Sequence, residues 1–258
     1  MTEIKASGVL VFGNIAALII TLIVNALAGI GVLNGISTGA ISDKYATLIS
    51  PAGYVFTIWS VIYFLLFVFA VYQALPSQKN KMFQKQIGVL FLLSCVFNIS
   101  WIFLWQYEYI ALSVPLIFAL LASLIAIYLR LNIGRSKAPT SERLGVHLPF
   151  SVYLGWITIA SIADVAAALV SVNWDGFGIS KETWALLVII VALVITLIVT
   201  FTRRDIAYDL VIIWALAGIA VKQSGYSDIV TTIEISLAII AVSLILAILI
   251  TRSRRMKT

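Results

Sequence analysis

Charge is what this sequence has least of: Asp, Glu, Lys and Arg together make up 11% of its 258 residues, about half the share of a soluble domain. So few charges cannot cover a water-facing surface, which excludes an ordinary soluble globule. Cysteine is nearly absent as well. Cys95 stands alone inside an apolar run, so no intramolecular disulfide can form, and the residue reads as a small buried side chain. A single histidine, His147, with no metal-ligand cluster and no glycine-rich nucleotide loop, leaves the usual catalytic sets without members. Low-complexity tracts, a soluble domain and a repeat of fixed period are missing too.

Apolar residues fill the chain instead: 62% of it is hydrophobic and its mean hydropathy is +1.10. They fall into eight runs, at residues 9–33, 54–75, 87–105, 109–131, 147–170, 184–201, 208–221 and 229–250. Such runs approach the ~20 residues of helix that cross ~30 Å of hydrocarbon. The expectation is an all-α polytopic membrane bundle of about eight transmembrane helices. The shortest run, 208–221, needs flanking residues to cross, so seven spans and one re-entrant segment is the alternative.

The net charge of +6 and the pI of about 9.5 report topology rather than nucleic acid, because the cations sit in clusters between spans. Lys5 precedes span one. Lys79, Lys81 and Lys85 follow span two, Arg130, Arg135, Lys137 and Arg143 follow span four, and Arg203 and Arg204 follow span six. Arg252, Arg254, Arg255 and Lys257 end the chain. The alternate loops carry few cations, so both termini are expected in the cytoplasm of a cell-membrane protein. Lys5 followed by an apolar run and Ala26-Leu27-Ala28 also fits a signal peptide, but the run is longer than a usual signal core and is read as a span.

Polar side chains are costly in hydrocarbon and tend to face the bundle interior. Span two carries Phe56, Trp59 and Tyr63 at helical spacing on one face; span three carries Asn98, Trp101 and Trp105; span five carries Tyr153, Trp156 and Asp164. The three stripes are expected to meet in one layer of the outer half of the bilayer. Asp164, some six residues from its span end or roughly 9 Å along the helix, must either hold a proton or face a wet cavity. Asp209 and Glu234 lie nearer span ends, where water weakens any functional claim. Ser50-Pro51-Ala52-Gly53 opens span two, with Ser50 suited to capping, Pro51 to a first turn and Gly53 to close backbone approach. Residues 34–50 are long enough to form a lid.

These residues suggest a family. Pro51-x-Gly53-x-x-Phe56-x-x-Trp59-x-x-x-Tyr63, then Asn98-x-x-Trp101, then Tyr153-x-x-Trp156 resemble the translocator protein family, TspO, also called tryptophan-rich sensory proteins. The likeness covers roughly residues 9–172, so the expected organisation is a TspO-like five-helix core at 1–172 and a three-helix extension at 173–258. The resemblance implies a pocket beneath the first loop for porphyrins, sterol-like lipids or hydrophobic drugs. Ten residues are its candidates: Pro51, Gly53, Phe56, Trp59, Tyr63, Asn98, Trp101, Tyr153, Trp156 and Asp164. Three positions depart from the pattern: Ser50 where a second proline is common, Val152 where a proline usually precedes the tyrosine, and Asp164 where asparagine is common. A carboxylate there disfavours an anionic porphyrin propionate and suits a cationic or hydroxylated ligand.

The leading expectation is thus a receptor or sensor of a bulky aromatic or sterol-like ligand, with no required cofactor and a porphyrin as a possible ligand. A secondary transporter of a small hydrophobic or cationic substrate using Asp164 is the alternative. An enzyme stands third, and a retinal photoreceptor is discounted because Lys222 sits at a span end. The expected partners are membrane lipid and a hydrophobic small molecule, not nucleic acid. Small residues at 163–168 permit close packing within the bundle or in a homodimer.

Overall fold

The computed structural model describes the backbone of residues 2–255 and the side chains of residues 8–249. Eight long helices appear among the described residues, and no strand: α1 (Thr2–Gly29), α2 (Ile58–Ala74), α3 (Leu90–Gln106), α4 (Ile110–Arg130), α5 (Leu148–Ser171), α6 (Lys181–Arg203), α7 (Ile206–Lys222) and α8 (Ser227–Arg255). Six helical stretches are long and apolar enough to cross a membrane, the second of them beginning at Gly53 in a 3-10 turn that leads into α2. The remaining two, α3 and α7, have 17 residues each, or about 25 Å. The short run around residues 208–221 is therefore one uninterrupted helix extended at both ends, packed on α5, α6 and α8.

Local chemistry fixes the helix ends. Ser180 caps α6 by accepting from Thr183 N (3.1 Å), with Glu182 in the first turn, and Asp205 caps α7 by accepting from Tyr208 N (3.3 Å). Both caps satisfy amides that the helix leaves unpaired. Between them Arg204 takes the left-handed conformation, φ +57°, and reverses the chain. Glu108, φ +63°, plays the same part between α3 and α4.

The first five helices close a ring in the order α1, α2, α5, α4, α3 and back to α1. Its interior is apolar towards the end opposite the first loop, where Phe69, Phe91 and Phe150 meet edge-on with centroids 5.0–5.9 Å apart. The last three helices pack on one another, and α7 lies against α5 on the side away from α4. Gly155 permits that approach: a Cβ there would lie 3.1 Å from Tyr208 O and from Val211 Cβ. Large apolar residues such as Phe64, Phe67, Val191 and Ile198 remain exposed on the outer faces, as expected of surfaces solvated by acyl chains.

The small residues at 163–168 are used within the chain. Ala163 faces α6 and α7 across a narrow gap lined by Ile159, Val188, Ala192 and Leu216, and Ala167 and Ala168 are buried.

Candidate functional site

The three stripes meet. Trp59 stacks on Tyr63 of its own helix (centroids 5.4 Å, planes 23° apart) and on Trp101 of α3 (6.2 Å, 28°). Trp101 in turn stacks on Trp105 (5.9 Å). Tyr153 and Trp156 of α5 meet Trp59 edge-on at 6.2 and 6.0 Å, and Phe56 closes on Trp156 at 6.0 Å. Seven rings from three helices thus form one cluster inside the ring, in the offset and edge-on geometries that aromatic quadrupoles favour.

Two polar side chains anchor the cluster from opposite sides. Asn98 donates from Nδ2 to Tyr153 Oη (3.0 Å) and accepts from Asn25 Nδ2 of α1 (2.7 Å). Asp164 accepts from Trp101 Nε1 (3.1 Å) and faces Ser113 Oγ of α4 at 3.0 and 3.1 Å. Asp164 is 2% exposed. Ser113 Oγ also lies 2.8 Å from Ile110 O. Its single proton can serve only one of these acceptors well; if Asp164 carries a proton, Asp164 donates to Ser113, Ser113 donates to Ile110 O, and every group is satisfied.

Tyr63 Oη and Trp156 Nε1 are the exceptions: both are buried and neither has a hydrogen-bond partner. A donor left unmade in such a place costs about 1–3 kcal/mol; Asn14 Oδ1, Gln73 Nε2, Tyr128 Oη and Asp209 Oδ1 are likewise unpartnered elsewhere among the described residues.

Pro51 and Gly53 lie elsewhere. Ala52 N donates to Gly218 O of α7 (3.0 Å), and a Cβ on Gly218 would lie 2.0 Å from Val55 Cγ2 and 3.7 Å from Pro51 Cβ. The close backbone approach expected of Gly53 therefore belongs to Gly218, while a Cβ on Gly53 would meet nothing within 4 Å. Ser50 does not cap span two; its hydroxyl accepts from Thr47 N (2.9 Å) inside the loop. Trp214 secures the same junction, donating to Val55 O (3.2 Å) and meeting Tyr54 edge-on.

The first loop lies over the cluster's end of the bundle and contains a short helix, Thr38–Lys44, capped by Ser37. Asn34 donates to Gln106 O (2.8 Å), Trp105 Nε1 donates to Thr38 O (3.3 Å), and Gln106 Nε2 donates to Ile36 O. Glu108 receives Lys44 Nζ and Tyr45 Oη, the latter at 2.8 Å. At the far edge Lys222 of α7 pairs with Asp43, and Gln223 donates to Thr47 O (3.3 Å).

The Glu108 clasp is pH-sensitive in a stated direction. Hydrogen bonds from Lys44 and then Tyr45 hold the Glu108 carboxyl below its ordinary 4.5. A carboxyl depressed when the loop is docked stabilises docking above that ordinary value and loses its contribution as pH falls through the lowered one. We expect amide exchange in residues 38–45, corrected for intrinsic rate, to rise as pH is lowered from 6 towards 3. Glu108→Gln should exchange faster at pH 6 and lose this pH dependence; an unchanged profile would remove the clasp from the account.

Membership is decided by the whole chain. A family model described as TSPO-like protein matches residues 10–250. The chain belongs to the TSPO-like family. No curated protein and no solved structure gives a match.

In this TSPO-like protein the match takes in α6 and α7 and reaches residue 250 of α8. The sequence reading missed Asn25 and Ser113 as partners of the site. Asn25 carried a signal, an amide in an apolar run; Ser113 carried none, because serine is common in membrane helices. Asp209, placed near water by its position, is fully buried beside Thr200 Oγ1 (3.0 Å), and Glu234 is exposed on α8.

Proposed function

We propose that this protein is a membrane receptor or sensor whose aromatic cluster receives a bulky, flat hydrophobic ligand of porphyrin, sterol-like or drug-like type. The observation that carries the reading is the pair of buried, unpartnered donors, Trp156 Nε1 and Tyr63 Oη, beside rings that offer stacking area. Trp59 and Trp101 already stack on one another, centroids 6.2 Å apart, so a flat ligand entering between them must part these rings, beneath a loop that can open at Glu108. Pro51 contributes by seating that loop on α7 and Gly53 lies in the 3-10 turn that follows; the other eight candidates contribute by stacking, hydrogen bonding or positioning. The basic clusters support cytoplasmic termini in a cell membrane.

A cavity of about 230 Å³ lies away from the cluster, between the first loop, the end of α5 and the start of α6, with Trp174 and Trp184 in its wall. Quenching by a ligand there must be told apart from quenching at the cluster. Tryptophan emission of the detergent-purified protein is titrated with protoporphyrin IX, corrected for inner-filter absorption, in the wild type, Trp156→Phe and Trp184→Phe. The expected result is saturable quenching, with affinity two- to tenfold weaker in Trp156→Phe, the worth of one hydrogen bond, and unchanged in Trp184→Phe. Linear quenching in all three would mean partitioning into the micelle and would overturn the proposal.

A further inference from the structure

The cations that report topology also build a cleft. At the opposite end of the bundle from the first loop, a cavity of about 530 Å³ opens between the α4–α5 loop, the start of α5 and the α6–α7 turn. Arg135, Lys137, Arg143 and Arg204 line it, contributed by two loops more than 60 residues apart in sequence. A positive-inside bias explains why each loop is basic; it does not require both to face one concavity.

Two of these cations are held in place by backbone carbonyls. Arg135 Nε donates to Thr202 O (2.6 Å) and Arg143 Nη2 donates to Ser136 O (3.3 Å), which tethers both guanidinium groups while leaving most of their N–H donors available. Among the described residues Arg135, Lys137 and Arg143 have no carboxylate partner. The carboxylate in the wall, Asp205, is turned inward: it is buried, Oδ2 accepts from Ser151 Oγ and Oδ1 accepts from Tyr208 N. Apolar side chains stand beside these charges. Leu144 is 57% exposed and Ile206 46% exposed, both close to helix starts at this end of the bundle.

We infer that this cleft binds the headgroup of an anionic phospholipid, with Arg135, Lys137 and Arg143 on the phosphate and Leu144 and Ile206 against the upper acyl chain. Planar guanidinium forks suit phosphate oxygens, and a basic pocket between membrane helices is the setting in which anionic headgroups are retained. The exposed apolar pair favours a lipid over free phosphate, which would leave those side chains uncovered.

The test is native mass spectrometry of the full-length protein released from detergent with phosphatidylglycerol or phosphatidylcholine of equal chain length. Phosphatidylglycerol should be retained preferentially, about fivefold less in Lys137→Gln and still less in Arg135→Gln/Arg143→Gln, since each surface cation is worth roughly that factor. Lys137 makes no hydrogen bond that the fold depends on, so its variant separates binding from misfolding. Lys79→Gln/Lys81→Gln, which removes charge from a different loop, should retain the lipid as the wild type does. Equal retention of the two lipids, or equal loss in the control variant, would mean an unspecific annulus. Full displacement by inorganic phosphate at equal concentration would mean a soluble-anion site. Any of these overturns the lipid assignment.

Discussion

Alanine at position 134 is expected to dislodge the α6–α7 turn and to lower the unfolding midpoint of the detergent-solubilised protein by roughly 4 °C or more. Gly134 sits at φ +82°, and a Cβ there would lie 2.0 Å from Arg203 O and 2.8 Å from its carbonyl carbon. Neither atom is the end of a flexible side chain, so backbone must move. Strain at a positive φ costs about 1–3 kcal/mol, and forced overpacking adds about 1–3 kcal/mol. At 2–4 °C per kcal/mol for a chain of this size, the shift follows. The displaced turn would also release Arg203 from Asn132 Oδ1 (2.8 Å) and Arg135 from Thr202 O. Gly53→Ala is the comparison, because nothing within 4 Å opposes a Cβ there, and it should change stability by no more than about 0.5 kcal/mol. Equal midpoints for the two variants, followed by circular dichroism, would refute the steric account of Gly134.

The second large effect separates two substitutions of Asp164. Leucine leaves Trp101 Nε1 buried without an acceptor, at a cost of about 1–3 kcal/mol, and frees the indole that carries the stack between Trp59 and Trp105. Asparagine offers the same acceptor to Trp101 and a donor to Ser113, whose own proton is free to bond Ile110 O 2.8 Å away. Asp164→Asn should therefore match the wild type within about 1 kcal/mol and keep the porphyrin titration saturable. Asp164→Leu should unfold earlier and bind more weakly. If asparagine proves as damaging as leucine, the negative charge itself is used, and a coupling role for Asp164 becomes the better account.

The helix count and the meeting of the three stripes were legible because both follow from simple rules: apolar length against bilayer thickness, and aromatic spacing on one helical face. Phe56, Trp59 and Tyr63 could be placed on one side of α2 before any coordinates. Gly53 could not be read correctly, since a glycine needed for close approach and one merely at a turn look alike in sequence; the approach falls at Gly218, more than 160 residues later. Asp209 was misjudged for a related reason. Distance from a span end measures depth, whereas burial depends on which neighbour covers the side chain, and Thr200 of α6 is that neighbour. The basic cleft escaped because loop charges were read for their side of the membrane and not for their convergence.

The seam between the first loop and α7 bears on how the chain is made. Ala52, Val55, Asp43 and Thr47 find their partners in Gly218, Trp214, Lys222 and Gln223, so these contacts have a very large sequence separation. Contacts of that kind form late, because the intervening chain must first be ordered. During synthesis the first loop emerges long before α7 exists and cannot reach its final seat until the ribosome has passed residue 223. Closure over the aromatic cluster thus waits for α7, and a chain halted after α5 would carry its rings under a loop without its seat on Gly218, Trp214, Lys222 and Gln223.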